Sequence, residues 1–250
     1  MKATLTIKKR TYQVDLSKPL DLSIPMTGDI SNVNAWYVDH PRIEPHVEHG
    51  FTGSVKQGAS TNFNDIWFNP HAHGTHTECY GHITREVYSV NEKLKNYFFL
   101  AEVITIAPGK LGDDFVISKH QLSNVMKGAK PNALVVRTLP NTKEKFSKQY
   151  SNSNPPYFME DAMAFLVNSG IDHLLVDLPS VDKERDGGAL RCHRTFWNMN
   201  GDIRKEATIT EFIFVPNEVA DGMYLLNLQV APFVNDASPS RPVLFKITEV

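Results

Sequence analysis

The amino-acid sequence predicts a mixed α/β fold with more strand than helix. Apolar residues recur at helical spacing through residues 158–169, and Gly170 follows as a helix stop. Residues 173–177 then form a short apolar run typical of a buried strand. A helix that leads directly into a buried strand indicates an α/β unit.

Further strands are predicted from alternating or apolar runs bounded by turn residues. A hairpin about the basic turn Lys8-Lys9-Arg10 opens the chain, and other strands are expected at residues 20–24, 98–107, 133–138, 208–214 and 223–230. Residues 27–62 are rich in Gly, Asn, Pro and His, and their weak periodicity predicts a long irregular segment of the kind used as a lid or binding loop. No stretch is typical of a linker, so we expect one domain over residues 1–250.

Composition excludes several classes of function. A formal net charge of -2 provides no basic field for holding nucleic acid. No segment approaches the roughly 20 apolar residues of a membrane-spanning helix, and the amino terminus does not have the pattern of a secretory signal. The two cysteines, Cys79 and Cys192, are too few for a disulfide framework. We therefore expect a cytoplasmic protein that acts on a small molecule.

Residues 71–82, with the sequence HAHGTHTECYGH, contain four of the ten histidines of the chain. Imidazole and carboxylate groups are ligands that Zn²⁺ selects, and Mn²⁺ competes at sites richer in oxygen. The candidate groups are His71, His73, His76, Glu78 and His82. Their density indicates either a divalent-metal site or an acid–base site.

The spacing within this cluster favours an extended chain, since Gly74 and Thr75 interrupt a regular helix. On a strand, His76 and Glu78 project from the same face. The spacing matches neither a zinc finger nor the His-Glu-x-x-His helix of metalloproteases. Cys79 is interpreted as a small buried residue, with a cysteine–histidine nucleophile as the alternative.

The cluster resembles the signature of the cyclase-like family that includes bacterial kynurenine formamidase and isatin hydrolase. That signature reads His-x-Gly-Thr-His-x-Asp, with another histidine four residues later. Residues 162–182 are also similar to the family, with a helix, a strand and an Asp-x-x-Ser-x-Asp turn, and residues 21–23 resemble its opening strand. His193 and Glu211 follow in the order of the family's later histidine and glutamate.

Two positions depart from the family pattern. Glu78 stands where the family usually has aspartate, and Ala72 occupies the position of the first histidine. Either His71 reaches the site through a one-residue bulge, which we favour because bulges re-aim side chains beside active sites, or His73 takes its role.

The resemblance implies that His71, His76 and Glu78 bind one divalent ion, with zinc expected before manganese. His193 and Glu211 then complete the same centre or hold a second ion. His82 is the implied general base and acid, since imidazole titrates near neutral pH.

The resemblance also implies the swivelling β/β/α fold, with a strand-rich core, flanking helices and assembly as a homodimer or homotetramer. The implied activity is hydrolysis of a small amide or cyclic amide, with kynurenine formamidase as the named example. Lactone hydrolysis or dehydration on the same fold is one alternative. A metal- or ligand-binding protein without catalysis is the other.

Some predicted residues keep two interpretations. Trp36, Trp67 and Phe68 are expected either to line the substrate pocket or to belong to the core. Asp177 and Asp182, in the family-like turn, either serve the site or cap the following turn together with Ser180.

Overall fold

The computed structural model of the chain describes residues 1–7, 9–126 and 131–250. Within these residues, eleven strands form one large sheet, while seven strands in three smaller sheets and four α-helices lie around it. The predicted mixed α/β fold with a strand-rich core and flanking helices is confirmed. Across the described ranges, no helix has both the length and the apolar character needed to cross a bilayer.

The strands are numbered in chain order. They are β1 (Lys2–Ile7), β2 (Arg10–Asp15), β3 (Leu20–Asp21), β4 (Arg42–Pro45), β5 (Val47–Glu48), β6 (Phe51–Thr52), β7 (Asn64–Trp67), β8 (His76–Glu78), β9 (Phe98–Ile106), β10 (Gly109–Leu111), β11 (Asp114–Ile117), β12 (Ala133–Thr138), β13 (Tyr157–Phe158), β14 (His173–Val176), β15 (Thr208–Glu211), β16 (Gly222–Asn227), β17 (Ala237–Pro239) and β18 (Val243–Glu249). The helices are α1 (Val90–Lys93), α2 (Lys119–Val125), α3 (Glu160–Asn168) and α4 (Arg191–Phe196).

The large sheet has the strand order β1-β2-β18-β16-β9-β12-β14-β15-β8-β17, and β3 pairs with β18. Its centre, β9-β12-β14-β15, is parallel, whereas β8 and β17 are added antiparallel at one end. Helices lie in the connections between the parallel strands, as such crossovers require.

Strand β12 shows why the central strands are apolar throughout. All six of its residues are buried. Leu134 and Val136 pack in one cluster with side chains from α2, α3 and α4, whereas Val135 packs in a second cluster on the opposite face with Leu22 and Leu94. Because both faces of the sheet are covered, alternation of apolar and polar residues is lost.

The local predictions for the regular elements agree with this sheet. The predicted strands at residues 98–107, 133–138 and 173–177 correspond to β9, β12 and β14. The amino-terminal hairpin is confirmed by the antiparallel pairing of β1 with β2, whereas Lys8 of its predicted turn lies outside the described residues.

Several predicted boundaries are wrong, for different reasons. Helix α3 begins at Glu160 because Phe158 pairs with Ile117 in a small sheet. Strand β15 ends at Glu211 because Phe212 has a φ of 54°, in the left-handed region that strands exclude. The predicted strand at 20–24 is reduced to β3 and an isolated bridge between Ser23 and Ile213.

The long segment predicted to be irregular contains strands. Within residues 27–62, β5 pairs with β6, and β4 pairs with β7 just beyond. We call residues 42–67 the arm. All four residues of β4 and all four of β7 are exposed, so no buried face imposes the alternation that reveals a strand in sequence. The exposed apolar side chains of the arm are Ile43, Val47, Phe51, Val55, Phe63, Ile66 and Trp67.

The arm predicts how copies of the chain associate. A two-stranded ladder without further support is marginal in water, and a large exposed apolar patch marks an interaction site. We expect the native chain to form the predicted homodimer or homotetramer, and Ile66→Lys to weaken it by placing a charge in the contact. Sedimentation velocity over a concentration series measures both. The control is Val87→Lys, an exposed apolar residue outside the arm. A monomeric native chain, or equal assembly of both variants, would contradict the prediction.

Candidate metal centre

The centre is built around β8, which lies between β15 and β17. Alternation along β8 puts His76 and Glu78 on one face, while Thr77 on the other face contacts the hydroxyl of Thr210 at 2.8 Å. Glu211 of β15 is the register partner of His76. The expected common face of His76 and Glu78 is therefore present, and pairing adds a second carboxylate beside it.

The two candidates for the first histidine lie on a turn before β8 and have different contacts. The carbonyl of Asn69 accepts hydrogen bonds from the backbone N–H groups of Ala72 and His73. His73 is buried with Nδ1 accepting from the Asn69 N–H at 2.8 Å and Nε2 donating to the carbonyl of Asp39 at 2.9 Å. Both ring nitrogens of His73 are thus used away from the cluster. His71 instead points into it, although from this turn and not from the predicted bulge.

His71 lies between two carboxylates. Its Nδ1 is 3.2 Å from Glu78 Oε2, and its Nε2 is 2.8 Å from Asp236 Oδ2. The ring stacks on that of His82 with centroids 4.2 Å apart. His82 Nδ1 is 3.3 Å from the same Asp236 oxygen, and its Nε2 is 3.9 Å from Glu78 Oε2.

Sequence reasoning missed Asp236. It lies 154 positions from His82 in a segment without a histidine or carboxylate cluster, so local spacing carries no signal for it. It reaches the centre because β17 begins at the next residue and pairs with β8, with Ala237 as the register partner of Glu78. Its backbone carbonyl also accepts the N–H of Cys79 at 3.0 Å.

His193 enters the centre from α4, where Asp182 fixes it. Asp182 accepts His193 Nδ1–H at 2.6 Å and the backbone N–H groups of Cys192 and His193 at 2.8 and 3.1 Å. His193 Nε2 consequently faces inward, 3.0 Å from Glu78 Oε1 and 3.8 Å from Glu211 Oε1. Asp182 thus satisfies the start of α4 and orients an imidazole in the cluster. It therefore combines the two predicted roles, a contact with a histidine of the cluster and a cap on the helix that follows.

The other polar residues of that turn have structural contacts. Ser180 Oγ accepts the N–H of Asp182 at 3.0 Å, which closes the turn as predicted. Asp177 is buried and accepts the Lys145 ammonium at 2.6 Å and the Thr138 N–H at 2.8 Å. Burial raises the pKa of Asp177, although Lys145 and Thr138 oppose this shift. Asp177 therefore holds the ends of β12 and β14 together and does not contact the cluster.

His76 and Glu211 close the buried side of the centre. His76 Nδ1–H donates to the carbonyl of Gly74 at 3.0 Å, and its buried Nε2 has no hydrogen-bond partner. That nitrogen is 3.5 Å from Glu211 Oε2. The other oxygen of Glu211 accepts the N–H of Val181 at 3.1 Å.

The hydrogen bonds determine which electron pairs face the cluster. Carbonyl and carboxylate oxygens only accept, so the outer nitrogen of each of the four imidazoles carries a hydrogen. In the neutral rings, the inner nitrogens of His71, His76, His82 and His193 then present lone pairs toward Glu78 and Glu211. Acceptors that face acceptors need a positive charge between them, which is either a proton on His71 and His193 or a bound metal ion. Ligand atoms of His71, His76 and Glu78 all lie within 4.8 Å of one another, as do those of Glu78, His82 and His193. These imidazole and carboxylate donors fit a divalent ion such as zinc or manganese.

The pKa shifts report the same negative field. Burial lowers the pKa of His71, but Asp236 and Glu78 outweigh it and raise the pKa to about 10. Burial also opposes protonation of His193, yet Asp182 and Glu78 raise its pKa well above the usual value. Burial alone would raise the pKa of Glu78, but the neighbouring histidines hold it well below its usual range. A field that attracts protons so strongly also attracts a dication.

One side of the cluster is open. His76, Glu78 and His193 are almost fully buried, whereas the side chains of His71, Asp236 and His82 are 22%, 25% and 29% exposed. A substrate would therefore approach over His71 and His82.

The predicted pocket aromatics lie beside the histidine turn. Trp36 donates its indole N–H to the carbonyl of His71 at 3.0 Å, and the Trp67 ring is 5.6 Å from that of His73. Phe68 contacts Phe233 with ring centroids 6.0 Å apart. Trp67 is exposed and Phe68 is half-buried, whereas Trp36 is half-buried and packs against a core cluster that includes Val33 and Phe212.

Cys79 is free and buried, as is Cys192. Burial raises the pKa of the Cys79 thiol to about 11, and its Sγ donates to the carbonyl of Tyr88. A thiol held in this protonated form is a poor nucleophile, so the alternative based on Cys79 is disfavoured.

Comparison with known proteins gives one family and one fold. The family described as "Putative cyclase" matches residues 14–183. A predicted metal-dependent hydrolase from Bacillus stearothermophilus superposes with a TM-score of 0.64 at 16% identity, over 91% of this chain and 98% of the other. Isatin hydrolase A from Labrenzia aggregata, bound to benzyl benzoate, gives 0.65 at 14% identity over 91% and 93%. An isatin hydrolase bound to thioisatinate gives 0.64 at 15% identity over 92% and 93%. No curated protein sequence matches the chain.

The cluster predicts bound metal. We expect elemental analysis of the purified chain to give one or two equivalents of zinc or manganese, and a His76→Ala, Glu78→Ala double variant to lose it. The matched control is His46→Ala, Glu48→Ala, which removes the same pair of residue types at the same spacing from the arm. A native chain that stays metal-free after incubation with both ions would contradict the assignment of these ligands.

Metal binding should also depend on pH in a defined direction. A proton must leave each histidine that binds metal, and the pKa values of His71 and His193 are raised. Apparent zinc affinity should therefore rise with pH, about tenfold per unit for each proton released. Calorimetry in buffers of different ionisation enthalpy counts those protons. Affinity that does not change between about pH 6 and 8, where a free imidazole titrates, would contradict this expectation.

Proposed function

The chain belongs to the cyclase family, and from this premise we propose that it is a metal-dependent hydrolase of a small amide or cyclic amide. The observation that carries the proposal is the convergence of one nitrogen from each of four imidazoles on Glu78 and Glu211, with His82 on the open side. A purely structural ion needs no solvent-facing histidine at its edge. A catalytic ion keeps one side open, because substrate and water must reach it.

The buried and the exposed side chains of the centre have different proposed roles. His76, Glu78, His193 and Glu211 are buried and would hold the cation. Hydrogen bonds to the outer atoms of His76, His193 and Glu211 prevent these three side chains from rotating. His71 would complete the set from the open side through Nδ1. The bound ion supplies Lewis acidity, which polarises a carbonyl and makes water more acidic.

His82 is the proposed general base and acid. Its Nε2 faces the centre at 3.9 Å from Glu78, so a water between them lies within reach. Nε2 would take the proton from the attacking water as the C–O bond forms. The same nitrogen would return that proton to the amide nitrogen as the C–N bond breaks, leaving a carboxylic acid and an amine. Protons and electrons balance without a further reactant.

The proposed substrate class rests on the aromatic residues beside the histidine turn and on the similar solved structures. Trp36 and Trp67 lie against the histidine turn, where an indole ring would stack on an aryl group of the substrate. Two of the similar structures are isatin hydrolases, and isatin is an aromatic cyclic amide. An N-formyl aryl amine is the type of substrate expected of a kynurenine formamidase. Like isatin, it has an aromatic ring attached to an amide nitrogen.

A substrate panel tests the proposal. The zinc- and manganese-loaded chain should hydrolyse an N-formyl aryl amine or isatin faster than an aryl lactone. His82→Gln should lower kcat about 10²–10⁴-fold, the usual contribution of a general base, while retaining its metal. His120→Gln removes an exposed histidine in α2 and serves as the control.

The outcomes separate the alternatives. Turnover of the lactone alone would move the assignment to a lactonase on the same fold. A metal-loaded chain that is inactive on every compound, or an undiminished His82→Gln variant, would contradict the proposed hydrolase mechanism.

A further inference from the structure

Asp236 is the partly exposed carboxylate of the centre, and it contacts two histidines through one oxygen. Oδ2 is 2.8 Å from His71 Nε2 and 3.3 Å from His82 Nδ1. These rings are stacked with centroids 4.2 Å apart and an interplanar angle of 29°. The contacts differ in which nitrogen they use, Nε2 on one ring and Nδ1 on the other.

That difference selects the free nitrogen of each ring. A carboxylate only accepts, so His71 carries its hydrogen on Nε2 and His82 carries it on Nδ1. The lone pair of neutral His71 is then on Nδ1, 3.2 Å from Glu78 Oε2. The lone pair of neutral His82 is on Nε2, directed at the same Glu78 oxygen.

We propose that Asp236 is the positioning residue that makes His71 a metal ligand through Nδ1 and turns His82 so that its Nε2 faces the centre. This inference rests on the proposed function. It explains how His71 would still bind the cation although the family's first histidine is expected one position later, where this chain has Ala72. Ligating histidines usually donate their other N–H to a carboxylate or carbonyl, and Asp236 provides this support for two rings at once.

The contrast with the buried ligands supports this role. Both buried histidines are held by partners close in sequence. His76 donates to the carbonyl of Gly74, and His193 donates to Asp182. His71 is on a turn and His82 follows Cys79 in the short 3-10 helix Tyr80–Ile83, so neither is held by strand pairing. Asp236 is anchored by the ladder between β17 and β8, and through it the sheet fixes both rings.

Zinc titration with a chromophoric competitor tests the inference. Asp236→Ala should weaken zinc binding about 10–100-fold, the usual effect of losing such a partner. Asp236→Asn keeps the shape and an accepting oxygen but loses the charge, so its affinity should lie between those of the native chain and Asp236→Ala. Asp202→Asn, at an exposed aspartate in the turns after α4, is the control and should bind as the native chain does.

Histidine tautomers give a second readout that does not depend on activity. Nitrogen-15 correlation spectra of the native chain should show His82 protonated at Nδ1, and Asp236→Ala should lose that signature. Unchanged affinity together with unchanged tautomers in Asp236→Ala would overturn the role of Asp236. If the native chain binds no metal, the proposed function fails, whereas the His82 tautomer in the metal-free chain still decides whether Asp236 orients it.

Discussion

The centre depends on one constraint, which is that the inner nitrogens of four histidines face the carboxylate oxygens of Glu78 and Glu211. Every outer nitrogen of the four imidazoles is committed to an oxygen acceptor, which leaves inner lone pairs opposed to the carboxylates of Glu78 and Glu211. A proton relieves this opposition in part, because Asp236 and Glu78 raise the pKa of His71 despite its burial. A dication relieves it for all the groups together. The surrounding fold is arranged to keep these groups in place against their mutual repulsion.

The sheet does this by placing its antiparallel end at the centre. Strand β8 pairs with β15 on one side and with β17 on the other. These pairings bring Glu211 and Asp236, from distant parts of the chain, beside His76 and Glu78. Strand β15 ends where Phe212 adopts a left-handed backbone, and the Phe212 carbonyl accepts the Thr75 hydroxyl at 2.5 Å. Such a conformation in an aromatic residue beside a functional site is strain that the neighbouring contacts sustain.

Sequence patterns predicted what depends on neighbours in the chain. The apolar run of β12, the stop at Gly170 and the shared face of His76 and Glu78 all follow from local periodicity. Asp236 could not be predicted, because its role arises from the pairing of β17 with β8. The strands of the arm were missed since both of their faces are exposed, which removes the pattern that burial imposes. His71 was preferred to His73 because of an expected bulge, whereas in the structure the Asn69 turn places the two side chains.

The placement of His71 on a turn outside the sheet has a consequence for how such proteins diverge. Residues within a ladder cannot shift by one without reversing every side chain, but a turn can pass a role to the adjacent position. Here the imidazole comes from one position earlier, and the acid side chain facing it is one carbon longer than the aspartate usual in the family. A histidine of such a cluster can therefore come from either of two adjacent positions while its contacts with the neighbouring carboxylates are kept. A comparison that requires histidine at the position of Ala72 would overlook this cluster.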